Sequence, residues 1–358
     1  MSRRELSESD ICDRYITPAI IQSGWNQTTQ VRREYGFTDG RITVRGKTHK
    51  RGPRRRADYM LSYQPNLPLA VVEAKDATHT VGDGMQQALG YAESLDIPFV
   101  FSSNGDGFLF HDRTGLSTPV ERQLSMSEFP SPEDLWSRYQ ASKGLTNDAV
   151  EVATEPLHED ISGKEPRYYQ RIAIQRATEA IARGQRRVLL AMATGTGKTY
   201  TAFHIIWRLW QASKVKDSQK SFRTLFITDR NVLVDQTMTN DFKPFGQVMT
   251  KVSNRTVDKS YEVYLSLYQA VSGTEEEKNI YKQFSPDFFD LVVIDECHRG
   301  SAFRGNRIQP LEAGCFSRFE STCEAFVKKT RKDPGNIRGL FQFGFSMAPE
   351  AGFEPTTR

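Results

Sequence analysis

A glycine-rich loop between an apolar run and Lys-Thr is the first stretch whose residue types could do chemistry. It lies in segment 187–199, RVLLAMATGTGKT. Gly195 and Gly197 allow a tight turn whose N–H groups point inward, and the helix predicted to follow adds partial positive charge. The Lys198 ammonium and the Thr199 hydroxyl suit nucleotide phosphates and Mg²⁺. The segment therefore predicts a phosphate-binding loop, the alternative being a Gly/Thr turn that happens to precede a lysine.

Two carboxylates and a lysine lie at the ends of two predicted neighbouring strands. Asp58 is near the start of ADYMLSY, and Glu73 and Lys75 end LAVVEAK. Side chains alternate along a strand, so Glu73 and Lys75 share a face, and an antiparallel hairpin could bring Asp58 to them. Two close carboxylates repel unless a cation such as Mg²⁺ bridges them, and the ammonium can stabilise charge on a phosphate. Because Asp followed by Glu-x-Lys also arises by chance, the pattern needs support from its surroundings.

A basic stretch precedes this cluster. Residues 41–56, RITVRGKTHKRGPRRR, contain eight Lys or Arg and no Asp or Glu. Gly and Pro interrupt the stretch, so we expect a mobile cationic loop that binds a phosphate backbone through counterion release. The alternative is a solvated loop that only aids solubility. The candidate nucleic-acid contacts here are Arg51, Arg54, Arg55 and Arg56.

A helix predicted over Gly82 to Leu95 follows the cluster. Gln87 and Tyr91 are four residues apart, so they lie on one face of this helix. They are candidates to support the Asp58, Glu73 and Lys75 cluster, the alternative being an ordinary amphipathic helix.

An apolar strand that ends in two acids forms the second half of the predicted nucleotide site. The run is DLVVIDECH, from Asp290 to His298. Parallel α/β sheets place ligands at the carboxyl ends of their strands, so we expect Asp295 to lie beside the phosphate-binding loop and to hold Mg²⁺. The alternative is an acidic turn after a core strand.

Composition limits the class of protein. The chain has 358 residues, 38% of them hydrophobic, so it can form two domains with separate cores. The net charge of +4 is small, and any nucleic-acid affinity must come from local clusters. Four widely spaced cysteines without a CxxC pair indicate reduced thiols, and with no apolar run long enough to span a membrane we expect a cytoplasmic protein.

The pattern of elements predicts an α/β chain. We expect a first domain at 1–143, a small mixed sheet flanked by helices, and a polar linker at 144–166. A parallel-sheet lobe built on the phosphate-binding loop should follow at 167–302. Residues 303–358 show no sustained periodicity and are expected to form an irregular tail.

These motifs resemble known families. MATGTGKT and DECH resemble the first lobe of superfamily 2 helicases, although Met192 stands where the strict motif has Gly. Asp58, the Glu73-x-Lys75 pair and the QxxxY helix resemble PD-(D/E)xK nucleases, although Arg56-Ala57 replaces the usual Pro-Asp. Together, over about residues 1 to 302, they resemble the restriction and motor (R) subunit of type I restriction enzymes.

The resemblance implies roles for individual residues. It implies Mg²⁺-dependent cleavage of double-stranded DNA, with Asp58 and Glu73 as metal ligands, Lys75 beside them, and ATP-driven translocation. It implies that Glu296 activates water and that Thr199 and Asp295 hold the Mg²⁺ of ATP. The implied ATP-binding residues are Tyr169, Gln170, Thr194, Gly195, Thr196, Gly197, Lys198, Thr199, Asp295 and His298. The implied DNA contacts in this lobe are Arg230 and Gln236.

The resemblance also leads us to expect partner subunits and a shortened chain. Methyltransferase (M) and specificity (S) subunits would supply sequence recognition, and no membrane is involved. The tail lacks the later helicase motifs, so we expect a truncated or frame-shifted subunit without motor activity of its own. The alternatives are a decayed, non-catalytic fragment that binds DNA and ATP, and another helicase–nuclease of the type III restriction or repair kind.

Overall fold

The structure is a computed structural model that divides into two compact units. Unit 1 comprises Met1–Val150 with Arg167–Ile172, and unit 2 comprises Glu151–Pro166 with Ala173–Arg358. The residues that it describes are 6–38, 42–45, 48–51, 54–193, 195–216, 221–228, 231–252, 258–267, 283–285, 288–295 and 341–346.

Unit 1 begins with a helical segment that is capped at its start and is followed by a glycine. A capping box starts it, because the Ser7 hydroxyl accepts from the Asp10 N–H and the Asp10 carboxylate accepts from the Ser7 N–H. Gly24, at φ +102°, follows its end. Its parts are α1 (Glu8–Ile11), a π-helical turn (Cys12–Ile16) and α2 (Thr17–Gln22).

A mixed sheet forms the core of unit 1. Its six strands lie in the order β1-β4-β5-β6-β7-β8, with β5 and β6 parallel and the other neighbours antiparallel. A two-stranded antiparallel ribbon, β2 and β3, lies between β1 and β4 in the chain. The strands are β1 (Val31–Thr38), β2 (Ile42–Arg45), β3 (Thr48–Arg51), β4 (Arg54–Gln64), β5 (Leu67–Ala74), β6 (Phe99–Ser103), β7 (Gly107–Asp112) and β8 (Glu121–Ser125).

Helices cover this sheet because each has an apolar stripe. Helix α3 (Met85–Leu95) buries Ala88, Tyr91 and Ala92 against Met60 and Val71 of the sheet. Helix α4 (Pro132–Lys143) begins after Ser131 with a capping box, and it stacks Trp136 on Tyr63 of β4. The predicted mixed sheet flanked by helices is confirmed.

The basic stretch contains strands, which corrects the predicted mobile loop. Residues 42–45 and 48–51 pair as β2 and β3, and Arg54–Arg56 belong to β4, where they pair with Gly36–Thr38 of β1. Thr and Val recur in this stretch and favour extended backbone. Gly46, Gly52 and Pro53, on which the loop prediction relied, lie outside the described residues.

Unit 2 contains a parallel sheet. Its order is β11-β12-β10-β13-β14-β9, and all the pairings between these neighbours are parallel, as predicted. The boundary between the units falls within α5 and again within α6. The elements that follow α4 in the chain are α5 (Asn147–Thr154), α6 (Tyr168–Ala182), β9 (Arg187–Ala191), α7 (Lys198–Lys216), β10 (Thr224–Thr228), α8 (Asn231–Thr239), β11 (Met249–Lys251), β12 (Val263–Leu267), β13 (Leu291–Ile294) and β14 (Phe341–Ser346).

The predicted irregular tail contributes one strand of this sheet. Residues 341–346 form β14, which pairs with β13 on one side and β9 on the other. The strand that precedes Asp295 and the strand that precedes the glycine-rich loop are therefore separated by β14 in the sheet. The rest of the tail lies outside the described residues.

The predicted linker also contains ordered structure. Helix α5 occupies part of it, and the buried Arg208 of α7 donates to the Glu155 carbonyl oxygen at 2.8 Å and to Gln175 Oε1 at 2.6 Å. The His158 ring contacts the rings of Phe203 and Trp207 edge-on. These contacts hold residues after α5 against α7 within unit 2.

No helix among the described residues is long and apolar enough to cross a membrane.

Candidate functional site

The structure brings Asp58, Glu73 and Lys75 together at the edge where β4 and β5 meet. The antiparallel register pairs Tyr59 with Val72, which places Asp58 opposite Glu73. The Asp58 carboxylate accepts the Ala74 N–H at 2.7 Å, and Lys75 Nζ donates to Glu73 Oε1 at 3.1 Å. The predicted hairpin therefore brings Asp58 and Glu73, which are 15 residues apart in the chain, into one cluster of side chains.

Burial sets the electrostatics of this cluster. The Glu73 side chain is 3% exposed, and desolvation, followed by the Asp58 charge, raises the pKa of Glu73 to about 8. Burial alone would lower the pKa of Lys75, but the hydrogen bond and charge of Glu73 outweigh it, so that this pKa is raised. Lys75 is thus held as a cation, whereas Glu73 needs a further positive charge to remain ionised at neutral pH.

Helix α3 supports the cluster through Gln87 and Tyr91. Lys75 Nζ lies 3.5 Å from Gln87 Oε1, and Gln87 Nε2 donates to the Tyr91 hydroxyl at 2.7 Å. The Tyr91 ring packs edge-on against Phe37 of β1. A chain of contacts thus links the Lys75 ammonium to the apolar core beneath α3.

The oxygen atoms of the cluster fit a small divalent cation. Glu73 Oε2 is buried and has no hydrogen-bond partner in the described part of the chain, which is costly for a carboxylate oxygen unless a cation contacts it. Among the described residues no group of three or more His, Cys, Asp or Glu side chains is arranged to hold a metal. Asp58 and Glu73 offer two carboxylates, and Mg²⁺ is bound by one or two carboxylates with water and phosphate oxygens.

Glu8 is a neighbour of the cluster that the sequence analysis missed. Its pKa is raised, first by burial and then by the charge of Asp58, and Lys75 acts on it in the opposite direction. The Glu8 charge also acts on Glu73. The sequence signal was only an acid in the first turn of a capped helix, a common feature without chemical meaning by itself.

The arginines of the basic stretch lie in different environments. Arg54 and Arg56 are exposed, and Arg56 pairs with Glu34 at 3.3 Å. A Cβ added at Gly90 of α3 would lie 3.6 Å from Arg55 Nη1, so the Arg55 guanidinium lies close to this helix. Arg51 is in β3, and its side chain lies outside the described residues.

In unit 2 the glycine-rich loop adopts the backbone that its composition predicts. Gly195 has φ +76° and Gly197 has φ +81°, values that residues with a Cβ rarely adopt. Thr196 Oγ1 donates to the Ala193 carbonyl oxygen at 2.6 Å, and Lys198 is the first residue of α7. The loop therefore joins β9 to a helix N-terminus, the arrangement that binds phosphate.

The remaining nucleotide-site predictions are partly described. Asp295 follows β13, is buried, and donates its N–H to the Ile227 carbonyl oxygen at 2.9 Å. Thr199 lies in the first turn of α7. The predicted residues Thr194, Glu296, His298 and Arg230 lie outside the described residues.

Tyr169 and Gln170, which the resemblance assigns to ATP binding, lie within the first turn of α6. Gln170 Oε1 accepts the Arg167 N–H at 2.8 Å, so this oxygen caps the helix start. Gln236 is exposed on α8.

The fold and these sites define a class of chain. A mixed-sheet unit carries a carboxylate–lysine cluster, and a parallel-sheet unit carries a phosphate-binding loop. The family described as type III restriction enzyme, res subunit, matches residues 163–328, which include this loop.

Comparisons with whole proteins show which restriction enzyme subunits the chain is similar to. The chain is 48% identical over 340 residues, 95% of its length, to the type I restriction enzyme EcoAI endonuclease subunit of Escherichia coli, of which it covers 41%. It is 31% identical over 223 residues to the EcoKI endonuclease subunit of Escherichia coli strain K12 and covers 18% of it.

A solved structure agrees with these relatives. A fragment structure described as an HsdR subunit of a type I restriction enzyme from Vibrio vulnificus YJ016 matches 96% of this chain and 56% of its own, with 37% identity and a TM-score of 0.70. The predicted resemblance to type I restriction endonuclease subunits is thereby confirmed. The chain spans less than half the length of the curated relatives that it matches.

Proposed function

We propose that this chain is the DNA-cleaving and ATP-binding part of a type I restriction endonuclease subunit. Its first unit would cut double-stranded DNA with Mg²⁺, and its second would bind ATP. In the full enzyme, ATP hydrolysis would drive translocation of the DNA before cleavage.

The observation that carries the cleavage proposal is that Asp58 lies opposite Glu73, that Lys75 donates to Glu73 Oε1, and that Glu73 Oε2 is buried without a hydrogen-bond partner among the described residues. A buried carboxylate oxygen without a partner is costly, and groups in such environments are concentrated at functional sites. The cluster also lies beside the arginine-rich start of β4.

The side chains of the cluster have separable roles in this proposal. Asp58 and Glu73 would hold the cation, which when bound supplies positive charge to a phosphate and lowers the pKa of water. Lys75, oriented by Glu73 and Gln87, would stabilise negative charge as it develops on the phosphate. Gln87 would position Lys75 without contacting DNA, and Tyr91 would fix Gln87.

The second unit would bind ATP through its glycine-rich loop. Lys198 would contact the terminal phosphates, and Thr199 with Asp295 would hold the accompanying Mg²⁺. Glu296 and His298 complete the proposed set by resemblance, as do Tyr169 and Gln170 toward adenine. We propose that the ATP bound in this unit is the ATP whose hydrolysis drives translocation in the full enzyme.

Partners and location follow from the same resemblance. The relatives are named as subunits, and we propose that methyltransferase and specificity subunits bind this chain and select the DNA. We propose a cytoplasmic location because the cysteines are widely spaced, and the described Cys12 is a buried free thiol.

Plasmid nicking tests the cleavage proposal. The purified chain, alone and mixed with the methyltransferase and specificity subunits and ATP, is incubated with supercoiled plasmid and Mg²⁺. Asp58→Asn keeps an oxygen that can accept the Ala74 N–H but removes the charge, and Lys75→Ala removes the ammonium. Each change should lower the nicking rate on the order of 10²-fold or more.

Lys143→Ala is the matched control, because Lys143 is a partly exposed lysine of the same unit that contacts the Tyr139 ring at 5.6 Å. It should nick at the wild-type rate. Nicking by Asp58→Asn and Lys75→Ala at the wild-type rate, or no Mg²⁺-dependent nicking by any mixture, would contradict the proposal.

A further inference from the structure

Helix α3 begins in direct contact with the proposed metal ligand Glu73. At Gly84, the N-cap of α3, a Cβ would lie 2.8 Å from Ser102 Oγ and 3.0 Å from Glu73 Cγ. Real Cβ atoms essentially never lie as close as 2.8 Å to another atom, and a contact of 3.0 Å requires the neighbour to move by a few tenths of an ångström. Glycine at this position therefore lets the start of α3 approach the Glu73 side chain.

Ser102 ties this helix start to the strand beside Glu73. The parallel register of β5 and β6 pairs Glu73 with Ser102, which is fully buried. The Ser102 hydroxyl oxygen accepts the Gly84 N–H at 3.1 Å. The N-cap residue Gly84 has no side chain with which to cap α3, so the Ser102 hydroxyl fixes the helix start from the neighbouring strand.

The same helix also reaches the lysine of the cluster. One turn after Gly84, Gln87 Oε1 lies 3.5 Å from Lys75 Nζ. The position of α3 along β5 therefore determines where the stem of Glu73 and the head of Lys75 lie relative to each other. A shift of the helix start would therefore displace the buried carboxylate of Glu73.

We propose that Ser102 and Gly84 are positioning residues that fix the Glu73 carboxylate and thereby set the affinity of the site for a divalent cation. This inference rests on the proposed cleavage function. Residues that orient metal ligands without touching the metal commonly change metal affinity by 10- to 100-fold when altered.

The experiment measures binding of Mn²⁺ to the full chain by isothermal titration calorimetry, together with the Mg²⁺ dependence of plasmid nicking. The variants are Ser102→Ala, Gly84→Ala and the double variant. Ser94→Ala is the matched control, because the Ser94 hydroxyl also bonds to backbone of α3, at the Gly90 carbonyl oxygen, away from Glu73. Thermal unfolding verifies that each variant is folded.

Ser102→Ala should weaken Mn²⁺ binding by about 10-fold, and Gly84→Ala by at least as much. Raising the Mg²⁺ concentration should restore most of the nicking rate, which loss of a residue that contacts the DNA would not allow. In the Ser102→Ala background, Gly84→Ala should cost less affinity than in wild type, because the atom at 2.8 Å has been removed.

Wild-type Mn²⁺ affinity in Ser102→Ala and Gly84→Ala would overturn the inference and leave the cleavage proposal intact. Equal weakening by Ser94→Ala would overturn it as well. If Gly84→Ala does not fold, Ser102→Ala decides, since it removes one oxygen atom and adds nothing. If Glu73→Gln leaves wild-type Mn²⁺ binding unchanged, the metal site itself is wrong and both proposals fail.

Discussion

The two units assemble their candidate sites in different ways. In unit 1 the cluster comes from two strands joined by a tight turn, and its side chains contact one another directly. In unit 2 the phosphate-binding loop follows β9 and Asp295 follows β13, with β14 from residues 341–346 between the two strands. One site depends on local hairpin register, and the other depends on parallel pairing between distant parts of the chain.

This difference explains which features could be predicted. Alternation along a strand sufficed to place Glu73 and Lys75 on one face, and the hairpin spacing added Asp58. No local pattern indicates which distant segment pairs with a parallel strand. The insertion of β14 between β9 and β13 was missed for that reason.

The largest expected effect tests whether the two sites are chemically independent. Lys198→Ala removes the ammonium at the start of α7 and should weaken nucleotide binding by about 10²-fold, measured with a fluorescent ATP analogue. Mn²⁺ binding that depends on Glu73 should stay unchanged, because no residue of that cluster is altered.

Lys214→Ala controls for this change, since Lys214 lies on the same helix and pairs with Glu262 at 3.5 Å. It should bind nucleotide like wild type. A loss of Mn²⁺ affinity in Lys198→Ala would show that the two sites are not independent.

A smaller effect concerns the arginines of β4. If Arg54 contacts a DNA phosphate, Arg54→Ala should make the slope of log affinity against log salt less negative by about 0.9. Fluorescence anisotropy with a duplex at several salt concentrations measures this slope. Arg122→Ala, on strand β8 of the same sheet, should leave the slope unchanged, and an unchanged slope in Arg54→Ala would remove this residue from the DNA surface.

A further effect is the pH dependence of stability without metal. The pKa of Glu73 is raised to about 8 from an ordinary 4.5, so between these values the folded chain retains a proton that the unfolded chain releases. Stability from this group is complete below pH 4.5 and is lost as pH rises toward 8. Glu73→Gln removes this loss, and at pH 8 should be more stable than wild type by on the order of 4 kcal/mol.

Denaturant unfolding in EDTA across this pH range measures the difference between wild type and Glu73→Gln. Saturating Mg²⁺ should reverse it, because the cation binds the ionised carboxylate of the wild type and not the amide. A difference that does not change with pH would contradict the assigned environment of Glu73.

Particular residues show where sequence reasoning succeeded and failed. The helix predicted over Gly82 to Leu95 is present as α3 (Met85–Leu95), because an apolar stripe at helical spacing is a local signal. The prediction of a loop around Arg54 failed because Gly and Pro were weighted above pairing with β1, a tertiary effect. The contacts of Arg208 with Glu155 and Gln175, which order part of the predicted linker, join residues too far apart to be read from composition.

The most direct test of the account is a crystal structure of the chain with Mn²⁺ and anomalous diffraction data. The account predicts one anomalous peak within coordination distance of oxygen atoms of both Asp58 and Glu73, with Lys75 Nζ nearby, and no such peak in Glu73→Gln. An ordered Asp58–Glu73 site without a peak at saturating Mn²⁺, or a peak bound only by other residues, would contradict it.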